Sequence, residues 1–377
     1  MKRTRLGALA GLLAAGFAAP LPAAPLAHFR TLHEFALTEG TGPIDELVLG
    51  QDGQMYGTTF YGGTYHLGTA YRLHRSGAVD TLFNFGASDT TMVQPRGLMA
   101  ASDGHLYGVV QGGNDRGFGG VYRMTTQGQV TQLVDFGSRA CRAPVARLAE
   151  ASDGRLYGST QSGGAHSGGC LYRVEPNGAY MTLRDLNDGD GVFPQAAMTP
   201  ARDGSVYGVL PYAGPADGGT IFRLTPGGGF SVVHAFEAPF RPQSALVEGP
   251  DGSLYGTCYE GGANRLGAVY RFDPASGGVT LLHEFSGAAD GARPGGLSLG
   301  SDGWLHGAAR EGGERGGGVL YRLALDGTLE VLHAMRPAKK EGHAWPAPLE
   351  AADGVFYGVT NDGGVEHLGS AYRLRLR

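Results

Sequence analysis

The sequence predicts an all-β fold, a seven-bladed β-propeller with four antiparallel strands per blade. A signature of the form DGxxYG recurs at nearly constant spacing, and turn signals separate short alternating apolar runs around each copy. Glycine accounts for 67 of 377 residues without an every-third-residue period, which favours a turn-dense fold and excludes collagen. The seven copies begin at Asp52, Asp103, Asp153, Asp203, Asp251, Asp302 and Asp353.

Each repeat contains signals for four strands in a fixed order. A proline opens the first strand, as in PIDELVLG and PQSALVEG, and Asp-Gly then turns the chain into a second strand such as QMYGTT. A Gly-Gly pair and about four variable residues precede a third strand with an aromatic-arginine pair, such as Tyr270-Arg271. A second tight turn leads to a fourth strand such as GVTLLHEF. Four antiparallel strands per repeat predict one propeller blade.

The two ends of the chain predict how the ring closes. Residues 29–35, FRTLHEF, match only the fourth strand of a repeat, and the last repeat stops after its third strand, SAYRLRLR. We therefore expect the N-terminal strand to complete the last blade, so that no strand edge is left open at a seam.

The first residues have the pattern of a secretory signal. Lys2, Arg3 and Arg5 precede an apolar run, LGALAGLLAAGFAA, and a small-residue stretch follows it. We expect a signal peptide over residues 1–23 and a single propeller domain over residues 24–377. The apolar run is too short for a membrane span, so we expect a soluble monomer, exported to the periplasm or the medium.

Composition limits the partners and the redox chemistry. Without residues 1–23 the chain keeps 27 basic against 35 acidic residues, so nucleic acid is not an expected partner. Cys141, Cys170 and Cys258 stand in what the signatures mark as different repeats. This predicts no disulfide framework and at least one free thiol, and leaves a single bridge between two of them open.

The glycine-rich signature itself is interpreted as structural. It occurs in every repeat, no lysine follows it, and no helix signal begins there, so phosphate binding is not favoured. Trp304 and His306 break the pattern in the sixth repeat. They mark either a pocket or drift of the repeat in a buried strand.

The pattern DGxLYGTTxxGGxxxxGxxYxL, with LxxFxGxxDGxxP downstream, resembles the GloVer-type tandem repeat of exported bacterial choice-of-anchor proteins. The resemblance covers residues 29–377, although the fourth repeat departs from it at PYAGPADGG. It implies a secreted β-propeller whose relatives often carry a C-terminal surface anchor. No anchor sequence follows Arg377, so we expect the protein to be periplasmic or free in the medium.

Function is expected on the face that carries the long connections. The connections from second to third strand and from blade to blade are variable, and both should emerge on one face. They offer arginine, histidine and aromatic side chains, which suit a carbohydrate, an acidic one especially. We expect a module that binds a glycan or a protein without catalysis. Solvated loop surface is the alternative for any single residue.

An enzyme is the rival hypothesis, because a ring can assemble a site from distant repeats. No GxSxG elbow and no adjacent Cys-His pair is present. The chemistry would be polysaccharide lysis by β-elimination, which needs a base and a cation beside the sugar carboxylate. Tyr61, Tyr65 and His66 are the candidate bases, and Arg96 and Arg116 the candidate cations. Otherwise the two tyrosines merely pack the rim of a blade.

Calcium is the one cofactor that the sequence suggests, and the support for it is weak. The loop DLNDGDG concentrates oxygen ligands but has no distal glutamate at the calcium-loop spacing. The candidate ligands are Asp185, Asn187, Asp188 and Asp190.

Overall fold

A computed structural model describes residues 27–87, 92–113, 117–137, 141–352 and 354–376. The signal peptide predicted over residues 1–23, Arg116 and Asp353 therefore lie outside the described residues. In the described part of the chain the elements are β-strands and one 3₁₀ turn, Pro337–Lys339. The predicted all-β class is confirmed.

The strands form seven sheets, the blades, in chain order. β1 (Ala27–Glu34) belongs to the last blade and the first blade follows it: β2 (Val48–Leu49), β3 (Met55–Thr59), β4 (Thr69–Leu73) and β5 (Val79–Asn84). The second blade is β6 (Met92–Ala100), β7 (Leu106–Gly113), β8 (Gly120–Met124) and β9 (Val130–Asp135). The third is β10 (Cys141–Pro144) and β11 (Ala149–Glu150), β12 (Leu156–Gly163), β13 (Cys170–Val174) and β14 (Tyr180–Asp185).

The remaining blades repeat this order. The fourth is β15 (Thr199–Pro200), β16 (Val206–Leu210), β17 (Asp217–Leu224) and β18 (Phe230–Glu237). The fifth is β19 (Val247–Glu248), β20 (Leu254–Cys258), β21 (Ala268–Phe272) and β22 (Val279–Glu284). The sixth is β23 (Ala292–Leu299), β24 (Leu305–Glu311), β25 (Val319–Leu323) and β26 (Leu329–Ala334). The seventh is β27 (Leu349–Ala352), β28 (Val355–Thr360) and β29 (Ser370–Leu376), completed by β1.

The ring closes as the sequence predicts. β1 pairs antiparallel with β29, with Phe29 opposite Leu374 and Glu34 opposite Ser370. The Phe29 ring also packs on Tyr372 of β29, at 5.3 Å between ring centroids. The outermost strand of the seventh blade therefore comes from the start of the described chain.

The recurring DGxxYG motif forms a local hydrogen-bonded unit, and the fifth blade illustrates it. The Asp251 carboxylate accepts the backbone N–H of Ser253 at 3.1 Å and the hydroxyl of Tyr255 at 3.0 Å. The first bond stabilises the turn into β20, and the second ties that turn to the strand. Burial, followed by the hydrogen bond to Asp251, raises the pKa of Tyr255 to about 12.

The glycine after this tyrosine makes room for the aromatic residue of the third strand. Gly256 stands opposite Tyr270, and a Cβ on Gly256 would lie 2.5 Å from the Tyr270 hydroxyl oxygen. The Tyr270 ring is buried between the fourth and fifth blades, against Phe236 and Leu246. The core therefore lies between neighbouring sheets, because each sheet covers the face of the next.

The cysteines require one correction to the sequence interpretation. Cys141 and Cys170 form a disulfide within one sheet, between β10 and β13, and Cys258 is free and buried in β20. Assigning Cys141 and Cys170 to different repeats was wrong, because the first strand of a blade precedes its Asp-Gly signature. The single disulfide that the sequence left possible is present, and the expected free thiol is that of Cys258.

Within the described chain no helix is long and apolar enough to cross a membrane.

Candidate functional site: the central cavity and its mouth

The two sets of long connections lie on one face, where they hydrogen-bond to each other. Gln94, in the connection into the second blade, donates its N–H to the carbonyl of Leu67 in the loop of the first blade, at 2.8 Å. Gly42 makes the same kind of bond to Leu368 of the seventh blade, also at 2.8 Å. This long-loop face therefore combines side chains from neighbouring blades.

A central cavity of about 120 Å³ lies where the innermost strands converge. Each of the seven blades contributes one short segment to its wall: residues 44–46, 96–97, 145–147, 195–197, 243–245, 296 and 345–346. A second cavity of about 250 Å³ adjoins it and shares five of its wall residues, Arg96 and Trp345 among them. We call this second cavity the mouth. Its wall residues are Arg96, Gln111, Val145, Gln161, Gln195, Gln243 and Trp345.

One repeat position supplies most of this wall. Backbone pairing aligns Pro95, Pro144, Pro242 and Pro294 with Ala344 of the seventh blade. The residue that follows this position differs in every blade except the fourth and fifth. The seven residues are Ile44, Arg96, Val145, Gln195, Gln243, Gly295 and Trp345. We call this the hub position. Its residue type varies between blades although the strands around it repeat.

Amide side chains dominate one side of the mouth. Gln195 and Gln243 are adjacent, and the Gln243 Nε2 donates to the Gln195 Oε1 at 2.6 Å. Gln111 and Gln161 enter from the ends of the second strands of their blades. Each amide has two donor hydrogens and one acceptor oxygen, so this wall can pair with the hydroxyl groups of a ligand.

An indole forms the opposite side of the mouth. The Trp345 ring is half-buried and lies 5.7 Å from the Tyr259 ring, and the Arg310 guanidinium stands over it at 5.7 Å. Gly295 and Gly296 allow this arrangement. Gly296 donates its N–H to the Trp345 carbonyl at 3.3 Å, and a side chain on Gly295 would overlap that carbonyl. Close approach of the sixth and seventh blades therefore fixes the tryptophan backbone at the hub.

The charges deeper in the cavity are paired. Arg96 Nε lies 3.3 Å from an Asp45 oxygen, and the same carboxylate accepts the N–H of Gly97 at 3.0 Å. Arg147 and Glu46 form a second pair at 3.3 Å. Both acids come from the first blade, so that blade neutralises one cation of the second blade and one of the third.

Arginines stack on aromatic rings around the long-loop face. Arg96 lies over Phe60 at 5.7 Å, Arg241 over Tyr212 at 5.3 Å, and Arg293 over Tyr259 at 4.7 Å. Arg241 and Arg293 each precede a proline and have left-handed backbone, with φ of 50° and 58°. That conformation is costly for a side chain with a Cβ, so the surrounding hydrogen bonds hold it in place.

The predicted catalytic set does not come together as one hydrogen-bonded group in the described residues. Arg96 lines the cavity, whereas Tyr61 and Tyr65 are 52% and 47% exposed and His66 is exposed on the loop of the first blade. Phe60 lies between them, since its ring contacts Tyr61 at 4.6 Å and Arg96 stands over it. Arg116 lies outside the described residues.

The proposed calcium ligands have other partners. The Asp190 carboxylate accepts two N–H groups of Arg184, at 2.7 and 2.9 Å, and the Asn187 side chain accepts the N–H of Gly189 at 2.8 Å. Among the described residues, Asp185, Asp188 and Asp190 are not a group whose carboxylate oxygens all lie within 4.8 Å of one another. Among the described residues one such group appears, Cys141, Cys170 and Asp185, and its cysteines are bonded to each other.

Trp304 and His306 lie away from the mouth. His306 is fully buried, takes the place of the repeat tyrosine, and puts its Nε2 3.1 Å from the Asp302 carboxylate. Trp304 follows the Asp-Gly turn and lies under Arg322 at 4.2 Å. His306 therefore substitutes for a structural tyrosine, and the drift interpretation explains its position.

Of the wall residues of the mouth, sequence reasoning named Arg96 but missed the four glutamines. Gln111 and Gln161 are 50 residues apart and Gln195 and Gln243 are 48 apart, and each glutamine looks unremarkable in its own repeat. Aligning the repeats on their Asp-Gly signatures would have brought Gln195, Gln243 and Trp345 together, although the seventh repeat has Ala344 in place of the strand-opening proline.

Residues 23–210 and 194–377 each match the Gloeobacter/Verrucomicrobia repeat. The chain belongs to this family. The suspected kinship is thus confirmed, and the seven blades show how a Gloeobacter/Verrucomicrobia repeat protein is built. A comparison with curated proteins finds no match.

Solved structures share the fold of this Gloeobacter/Verrucomicrobia repeat protein. One is the extracellular domain of a protein of B. thetaiotaomicron described as a one-component system, with 12% identity and a TM-score of 0.62; the match covers 91% of this chain and 39% of that one. Another, described as part of a hybrid two-component system of the same organism, has 9% identity and a TM-score of 0.60, covering 93% and 41%. A Bacteroides fragilis protein described as a 6-phosphogluconolactonase has 15% identity and a TM-score of 0.56, covering 85% and 89%. The chain spans about two fifths of the two extracellular proteins.

Proposed function

We propose that this protein is an exported binding module that holds a glycan at the mouth of its central cavity, without catalysis. The observation that carries the proposal is the composition of the mouth, with the Trp345 indole opposite four glutamine amides. An aromatic ring binds the apolar face of a sugar, and amides pair with its hydroxyl groups. Such a wall is typical of a site for a neutral polar ring with many hydroxyls.

The size of the mouth favours a small ligand over a protein surface. Its volume of about 250 Å³ lies below the roughly 300–1,000 Å³ of sites for drug-sized molecules. One sugar unit is therefore the natural occupant, with the rest of the glycan over the long-loop face.

Two further observations support export and binding. The Cys141–Cys170 disulfide is of a kind that persists in oxidising compartments. Two similar folds are extracellular domains. The residues proposed for β-elimination are less favourable, because Tyr61, Tyr65 and His66 have no hydrogen bond to Arg96 in the described structure.

The two tryptophans of the chain provide a direct test, because Trp345 lines the mouth and Trp304 lies beside a short turn of the sixth blade. A glycan panel is titrated against the full mature chain while tryptophan emission is recorded. We expect the ligand to change the emission of the wild type and of Trp304→Phe, and to leave that of Trp345→Phe unchanged.

Calorimetry measures the affinity in parallel. We expect Trp345→Ala to weaken binding about tenfold or more, since loss of an aromatic stacking contact costs roughly one to two kcal/mol. Gln195→Ala should weaken it as well, while Trp304→Ala should not. Equal effects of the two tryptophan substitutions would place the ligand elsewhere, and cleavage of any polysaccharide in the panel would refute the binding-only function.

A further inference from the structure

The guanidinium of Arg310 lies beside the mouth, next to its wall residue Trp345, and glycan binding in general does not explain it. Arg310 is the second-to-last residue of the second strand of the sixth blade, is exposed, and stands over the Trp345 ring at 5.7 Å. It occupies the same repeat position as Gln111 and Gln161, counted from the Asp-Gly signature. It therefore faces the hub, beside the indole that we assign to sugar binding.

Arg310 differs from the other arginines near the hub in its charge balance. Arg96 is paired with Asp45 at 3.3 Å, and Arg241 and Arg293 share Glu260 at 3.3 and 3.6 Å. In the described residues no carboxylate lies within 4.0 Å of the Arg310 guanidinium. A positive charge at the rim of the mouth is thus left without an internal counter-charge.

Stacking on the indole prepares this guanidinium for an anion. A guanidinium that lies over an aromatic ring keeps its N–H donors in its own plane, where they match the two oxygens of a carboxylate. The ring also restricts the side chain, so less conformational freedom is lost when an anion binds. The arrangement suits a carboxylate at the edge of a sugar that lies in the mouth.

We propose that the mouth selects a uronic acid residue at the end of a polysaccharide chain, with its carboxylate on Arg310. This inference rests on the proposed function and names the ligand class of the same site. The volume of about 250 Å³ admits one sugar unit, which is why the end of the chain is recognised. The paired charges of Arg96 and Arg147 make them weaker candidates for the carboxylate.

The test compares matched pairs of oligosaccharides by calorimetry on the full mature protein. The panel holds short oligosaccharides of the gluco, galacto and manno series, each ending either in the uronic acid or in its neutral counterpart. We expect the tightest ligand to end in a uronic acid, and its affinity to fall when the salt concentration rises.

Substitution of Arg310 then separates charge from shape. Arg310→Gln should weaken the acidic ligand about tenfold to a hundredfold and change the affinity of the neutral counterpart less than twofold. The matched control is Arg142→Gln, since Arg142 is also exposed and lies over an aromatic ring, Phe118 at 4.3 Å, but that ring, unlike Trp345, is not part of the wall of the mouth. This control should bind like the wild type.

The outcomes are distinguishable. If neutral ends bind as tightly as acidic ends, or Arg142→Gln weakens binding as much as Arg310→Gln, the uronate inference is wrong and glycan binding stands. If no member of the panel binds, the proposed function fails together with the inference.

Discussion

Two tyrosines of the fifth blade should respond in opposite directions to the same substitution. Tyr255 and Tyr270 lie in adjacent strands, and both are almost fully buried. The Tyr255 hydroxyl donates to Asp251 at 3.0 Å, whereas the Tyr270 hydroxyl has no hydrogen-bond partner in the described residues. Replacement by phenylalanine removes one oxygen atom in each case, so the packing change is nearly the same.

The size of each change in unfolding free energy depends on whether the hydroxyl oxygen takes part in a hydrogen bond. Tyr255→Phe removes a hydrogen bond to a charged group, which costs about 1.5–3 kcal/mol of unfolding free energy. Tyr270→Phe removes an unpaired buried hydroxyl, whose desolvation costs about 1–3 kcal/mol, and leaves a small gap. We expect a net gain of about 1 kcal/mol. The fourth blade supports this expectation, since Phe222 occupies the same position there.

Urea unfolding of the mature protein measures both effects. With an unchanged slope against denaturant, the midpoint should fall for Tyr255→Phe and rise for Tyr270→Phe. A loss of stability for Tyr270→Phe similar to that for Tyr255→Phe would show that the inner hydroxyl is hydrogen-bonded. The account of the repeat core given above would then be wrong.

Three further outcomes follow from the scaffold. Gly256→Ala should cost about 1–3 kcal/mol of unfolding free energy, because its Cβ would lie 2.5 Å from the hydroxyl oxygen of the facing tyrosine; thermal or urea unfolding measures it, and Gly227→Ala serves for comparison as a turn glycine with open space around it and no left-handed φ. Burial lowers the pKa of His306, so the unfolded chain takes up a proton that the folded chain refuses, and stability should fall as the pH drops below about 6.5; His306→Tyr should flatten this dependence in unfolding experiments repeated across that range. Reduction of the Cys141–Cys170 bond should cost about 2–4 kcal/mol, and thiol titration in denaturant should count one thiol before reduction and three after.

The fold could be predicted from the sequence because the same pattern of four strands and their turns recurs seven times. The Asp-Gly signature recurs in every repeat, and the buried tyrosine and the strand-opening proline recur in six of the seven, with His306 and Ala344 as the exceptions; each has a local physical reason. The closure by residues 29–35 was predictable for the same reason, since only one strand of the pattern was missing at the end. The pairing of Cys141 with Cys170 was not, because it depends on where one blade ends and the next begins.

The mouth could be predicted only in part, and the reason is geometric. Its residues belong to two repeat positions, since Gln111 and Gln161 lie towards the ends of second strands and the others follow the strand-opening position; equivalent residues of neighbouring blades are about fifty residues apart in the sequence. Gln195 and Gln243 resemble solvated surface residues until the ring brings them within 2.6 Å of each other. Loop residues such as His66 attract attention in a sequence because they are polar and variable, although the structure leaves His66 exposed on the rim.

In this propeller the residue type varies most between repeats where packing constrains the side chain least. The buried tyrosine positions hold only aromatic rings, Phe222 and His306 being the departures from tyrosine, and the facing glycines leave no room for a side chain, because neighbouring sheets pack against both. At the hub the seven innermost strands converge on a cavity, so a side chain there has few neighbours to satisfy. A tryptophan, two glutamines, an arginine, two aliphatic side chains and a glycine can therefore occupy equivalent positions without disturbing the blades. Gly295 is dictated by the scaffold, because a side chain there would overlap the Trp345 carbonyl. At the other six positions we expect the proposed ligand to account for the choice of residue.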